Sequence, residues 1–181
     1  MAGIRQGCAA GALVAALLGA QAAPAAKAHE HGVAQLDVAV QAQRLIIELD
    51  TPLDNLLGFE RAPRSDAERD KAAAAVARLR DAALLFRIDA AAGCSLARVE
   101  LNSAALGLGP AAGTAARAAE HGDLSATFEF RCTAGARAGF VEVGLFDAFP
   151  GLKRLDLQVA TPKGQLKAIL RRPATRVALA R

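Results

Sequence analysis

Val33-Ala34-Gln35-Leu36-Asp37-Val38-Ala39-Val40, followed after a short gap by Arg44-Leu45-Ile46-Ile47-Glu48-Leu49-Asp50, decides the class of the fold. In the first stretch Val33, Leu36, Val38 and Val40 stand among Gln35, Asp37 and Ala39, which is the period of a strand with one apolar face. Gln41-Ala42-Gln43 reads as a turn and the second stretch as a more continuously buried strand, so the pair predicts an antiparallel hairpin. Thr51-Pro52 closes it, because proline has no N–H to give to a sheet ladder.

Downstream, Leu53 to Pro63 is too apolar for a free loop and is expected to lie against the core. Ser65-Asp66-Ala67-Glu68 forms a capping box and starts a helix. From Asp66 to about Arg87 the positions Ala72, Ala75, Val76, Leu79, Ala83 and Phe86 recur at helical spacing, so one long amphipathic helix is expected. Its stripe would cover the sheet of its own domain, a partner-binding face being the other use. Ala90 to Gly93 breaks the helix. Further strands are expected at Cys94 to Leu101, Leu124 to Cys132, Phe140 to Phe146, Leu152 to Ala160 and Gln165 to Leu170. Arg171 to Arg181 reads as an edge strand or a tail, and Asn102 to Ala119 as a loop of low complexity. The fold class expected is α+β, a mainly antiparallel sheet that can fold into two layers, with that one long helix.

The first residues differ from the rest. Arg5 precedes an apolar run from Cys8 to Gly19, and small residues fit A-x-A cleavage at Ala20-Gln21-Ala22 and again at Ala26-Lys27-Ala28. The run is shorter than the roughly 20 residues a membrane span needs, so residues 1–22 read as a signal peptide, cut at the latest after Ala28. The mature chain would then work in the periplasm without a membrane anchor. Loss of Arg5 takes the net charge from +4 to +3, and loss of Lys27 as well takes it to +2. Basic residues are interspersed with acidic ones and aromatics are few, which argues against nucleic acid as a partner. With Cys8 removed, Cys94 and Cys132 remain as a pair that export would oxidise to a disulfide. Two thiolate ligands or a reactive thiol are the competing reading.

Metal chemistry is concentrated at few places. His29 and His31 flank Glu30 and, in extended backbone, point the same way. His121 stands between Glu120 and Gly122-Asp123. His29, His31, His121 and either Asp123 or Glu120 would supply the four ligands zinc prefers. Cleavage after Ala28 would add a free amine at His29 and allow copper instead. No G-x-S-x-G elbow, H-E-x-x-H helix or glycine-rich phosphate loop is present, so no enzyme is read, and Asp54, Glu60 and Asp147 read as capping or surface carboxylates.

Four stretches carry a resemblance: His-Glu-His-Gly-Val-Ala-Gln-Leu-Asp-Val at 29–38, Asn-Leu-Leu-Gly-Phe-Glu-Arg-Ala-Pro at 55–63, Leu-Phe-Asp-Ala-Phe-Pro-Gly-Leu at 145–152 and Gln-Val-Ala-Thr-Pro-Lys-Gly-Gln at 158–165. The chain resembles the ZrgA-like family of zinc-regulated periplasmic proteins, long classed as a domain of unknown function, over nearly all of its mature length. The resemblance implies a single zinc-binding-like domain at 29–181 that contributes to zinc homeostasis or acquisition beside a zinc import system. Many such proteins carry a His/Asp-rich tract between the third and fourth strands. Residues 102–123 of this chain hold only His121, with Glu120 and Asp123 beside it, so the capacity expected is low. A second class of function is a periplasmic interaction module whose segment at 55–63 or helix meets a transporter or envelope partner, with metal incidental.

Overall fold

A computed structural model describes residues 30–109 and 122–179 of the chain. The expected leader and cleavage positions, His29, Glu120 and His121 lie outside the described residues.

Strand β1 (Val33–Val40) and strand β2 (Arg44–Pro52) form the antiparallel hairpin, with Leu36 opposite Leu49 and Val38 opposite Ile47. Ala34, rather than Val33, joins Leu36, Val38 and Val40 on the buried face. Seven more strands follow: β3 (Phe86–Ile88), β4 (Cys94–Asn102), β5 (Asp123–Cys132), β6 (Phe140–Val143), β7 (Arg154–Thr161), β8 (Gly164–Arg171) and β9 (Arg176–Ala178). Six of the nine described strands make one sheet in the order β4-β5-β2-β1-β7-β8, and β3-β6-β9 make a second. All pairs are antiparallel except β1 with β7, which run parallel from Val33 opposite Arg154. That pair brings the chain before β7 to the start of β1.

The expected α+β fold with a long amphipathic helix is not what forms; the chain is mostly β. Helix α1 (Asp54–Leu57) is a single turn, and α2 (Asp66–Arg80) starts at the expected cap, where Ser65 Oγ accepts from Glu68 N at 3.2 Å. Instead of running on to Arg87, α2 stops at Asp81, and after the short α3 (Ala82–Leu85) Phe86 already belongs to β3. The physical reason lies in side-chain size. The positions α2 buries are Ala72, Ala75 and Leu79, a narrow and mostly alanine face with little area to remove from water. Bending the chain at Asp81 instead buries Ala82, Leu85 and Phe86, and it pairs Phe86 with Val143. Phe86 then packs edge-on against Phe128 at 4.8 Å between ring centroids, a geometry aromatic pairs favour. The short α4 (Leu145–Ala148) occupies what read as the end of a strand at Phe140 to Phe146.

One buried cluster joins the inner face of the large sheet to Phe86, Val141, Val143 and Val177 of the small sheet and to the buried face of α2. Cys94 and Cys132 are direct partners across β4 and β5 and are joined by a disulfide, so neither is a thiolate ligand. Among the described residues no helix is long and apolar enough to cross a membrane.

Candidate metal centre

Glu30 to Val33 forms a β-turn closed by Val33 N donating to Glu30 O at 3.1 Å. Gly32 takes φ +83°, the left-handed backbone that the third residue of a type II turn requires, and this leaves His31 at the corner. The turn is held from both sides. Gly32 O accepts from Lys153 N at 2.7 Å and from Arg154 N at 2.9 Å, while Gly32 N donates to Asn55 Oδ1 at 2.6 Å. Glu30 pairs with Arg154 at 2.9 Å, and the His31 side chain stays 65% exposed.

The segment at 53–63 supplies what faces it. Leu53, Leu56 and Leu57 anchor α1 in the core, and Gly58 ends the turn with φ +76°. The backbone around Glu60 is then held by its neighbours. Arg61 makes a two-pronged pair with Glu68 at 2.9 and 2.7 Å, and its guanidinium also lies over the Phe59 ring. Arg64 N donates to Glu68 Oε2 at 2.6 Å, and these bonds hold the Glu68 carboxyl down at about 2. On the other side Gly122 packs so closely that a Cβ on it would come within 2.3 Å of the Glu60 carbonyl. Gly122 O also accepts from Leu53 N at 2.6 Å.

His31 Nε2 consequently lies 3.0 Å from Glu60 Oε1, and its Nδ1 lies 3.6 Å from Asp54 Oδ2. Glu60 Oε1 is shielded from water and makes no hydrogen bond, so the His31 imidazole is the polar group beside it. A carboxylate oxygen left so is costly unless something else satisfies it. Two ligands of a tetrahedral zinc at 2.0–2.1 Å are about 3.3 Å apart, so the Nε2 to Oε1 pair would need to open by about 0.3 Å from its 3.0 Å separation to form one edge of such a site. Asp54 stands behind the other ring nitrogen, where metal-binding histidines usually meet an orienting carboxylate. The described residues thus fit a cation with two donors, and among them no group of three or more His, Cys, Asp or Glu is arranged to hold one.

Of the ligands predicted from sequence, His31 stands at this centre. Asp123 begins β5 opposite Pro52 and lines a neighbouring cleft of about 400 Å³ with Glu30, Asp50, Arg154 and Asp156. His29, His121 and Glu120 are outside the described residues, although Glu30 and Gly122, the neighbours of His29 and His121 in the chain, both border the region just described. Asp54 and Glu60 were not among the predicted ligands.

The sequence model of the ZrgA family, described as zinc uptake proteins, matches residues 28–179. The chain belongs to the ZrgA family. No curated protein matches it as a relative. In this ZrgA-family chain three of the four stretches that carried the resemblance, 29–38, 55–63 and 145–152, meet around His31, while 158–165 lies at the other end of β7. The turn at 30–33 bonds to Asn55, Gly151 packs against Asn55 so that a Cβ would lie 2.5 Å from its carbonyl oxygen, and β7 starts from Gly32. The signal that could have found Glu60 was therefore its place inside the 55–63 stretch, together with the two glycine-bounded turns that flank it.

Proposed function

We propose that this ZrgA-family protein binds one zinc ion per chain in the periplasm and contributes it to zinc uptake. His31 Nε2 and Glu60 Oε1 would form one edge of the coordination sphere, with Asp54 orienting the imidazole. His29 and His121 would complete the set of four, with Glu60 taking the oxygen-donor place otherwise open to Asp123 or Glu120. The observation that carries this reading is the shielded Glu60 Oε1, which lacks a hydrogen bond 3.0 Å from an imidazole nitrogen. The donors, imidazole nitrogen and carboxylate oxygen, are those zinc accepts. Low capacity follows from having three histidines in the whole chain. The apolar leader pattern and the Cys94 to Cys132 disulfide support an oxidising, exported setting.

Isothermal titration of the mature protein tests it. Zinc uptake at one equivalent that is lost in a His29/His31/His121 triple alanine variant is expected; no uptake by the wild type, or uptake unchanged in the variant, rejects it. Adding Glu60→Gln tests the oxygen donor separately, since it removes one proposed ligand without removing a histidine.

A further inference from the structure

The side chain that joins the two halves of the proposed zinc site is one the ligand set does not include. Asn55 is 2% exposed and sits in the first turn of α1, next to Asp54. Its carboxamide uses both ends. Oδ1 accepts from Gly32 N at 2.6 Å, and Nδ2 donates to Val33 O at 2.8 Å and to Thr51 Oγ1 at 3.0 Å. Only this orientation of the amide suits all of its partners, since it sets an acceptor against an N–H and a donor against a carbonyl. Asn55 therefore grips the backbone on the far side of the His31 corner as a neighbouring strand would.

We infer that Asn55 is a positioning residue for zinc: its carboxamide holds the turn at 30–33 in the one placement that puts His31 Nε2 beside Glu60 and Nδ1 beside Asp54. This rests on the reading of His31 and Glu60 as ligands. Without the grip, the turn keeps its contacts to Lys153 and Arg154 through Gly32 O, so it stays on the sheet but can pivot about that side. A pivot of about 1 Å is enough to spoil a coordination edge whose bonds tolerate roughly 0.2 Å. Loss of a group that orients a metal ligand typically costs about 10- to 100-fold in metal affinity.

Thr51 supplies the control. It is as buried as Asn55 and accepts a hydrogen bond from it, while its own hydroxyl donates to Pro52 O and not to the turn or to His31 or Glu60. Zinc affinity of the full mature chain is to be measured by competition with a chromophoric chelator for wild type, Asn55→Ala, Thr51→Val and His31→Ala, with thermal melts of the zinc-free proteins alongside. The expected result is that Asn55→Ala and Thr51→Val both melt earlier, while only Asn55→Ala loses about 10- to 100-fold in affinity. Equal affinity of Asn55→Ala and wild type, with His31→Ala defective, overturns the inference and leaves the zinc reading standing. Undiminished binding by His31→Ala overturns both.

A second measurement needs no variant and so is independent of whether Asn55→Ala folds. Coupling between the grip and the ion is reciprocal, so zinc must strengthen the Gly32 to Asn55 bond as that bond strengthens zinc binding. Hydrogen exchange at the Gly32 amide of the wild type is expected to slow by about tenfold or more when zinc is saturating, matching the affinity effect. An unchanged rate overturns the inference.

Discussion

His31 Nε2 and Glu60 Oε1 lie 3.0 Å apart although 29 positions separate them in the chain, and the carboxylate oxygen has no hydrogen bond to hold it there. Two independently anchored turns create that contact. The glycine turn at 30–33 is bonded to β7 and Asn55, and the segment after α1 is fixed by Arg61, Glu68 and Gly122.

Glu60→Gln and Asp54→Asn should separate ligand from orienting group. Glu60→Gln keeps the shape but removes the charge, and zinc affinity is expected to fall by more than about 100-fold, beyond the cost of losing an outer partner. Asp54→Asn should cost nearer tenfold. The chelator competition that ranks them would contradict the assignment if Asp54→Asn proved the more damaging.

Gly32→Ala should weaken both fold and site. At φ +83° a Cβ costs about 1–2 kcal/mol, and it would also press on the Lys153 side chain at 3.0 Å. Urea unfolding of the zinc-free variant checks the first effect and zinc titration the second. Full stability in the alanine variant would show that the turn adopts another form.

Reduction, or replacement of Cys94 and Cys132 by serine, should destabilise the chain by about 4 kcal/mol, as expected for a closed loop with a sequence separation of 38. The two cysteines face each other on paired strands, so the loss is expected without any change in secondary structure. Denaturant midpoints with matched circular dichroism spectra would test this.

Acid should remove one identifiable support of the site. Hydrogen bonds from Arg61, first, and from Arg64 N bring the Glu68 carboxyl from 4.5 down to about 2. A carboxyl lowered in the folded state binds fewer protons there than in the unfolded chain, so its stabilisation is complete above its ordinary value and is lost as pH falls through about 2. Wild type should therefore lose stability relative to Glu68→Gln between about pH 4.5 and pH 2. Parallel pH series of urea midpoints for the two proteins would refute this if their difference stayed constant across that window.

Local pattern by itself determined the β1 to β2 hairpin, the cap at Ser65, the strand period of β5 and β7 and the pairing of Cys94 with Cys132. Each of these depends on neighbours within a few residues, or on counting. The end of α2 was not legible in this way. Helical spacing continues through Phe86, but the area gained by turning Ala82, Leu85 and Phe86 into the core against β6 and Phe128 outweighs the propagation of a helix whose buried face is mainly alanine. The site divides along the same line. His31 could be named from residue type, because few side chains bind zinc and this chain has three histidines. Asp54 and Glu60 could not be named from residue type, which does not distinguish them from surface carboxylates; only the place of Glu60 inside the 55–63 stretch pointed to it. They become candidates only because the parallel pairing of β1 with β7, the Asn55 grip on the turn and the packing of Gly122 set them around one imidazole.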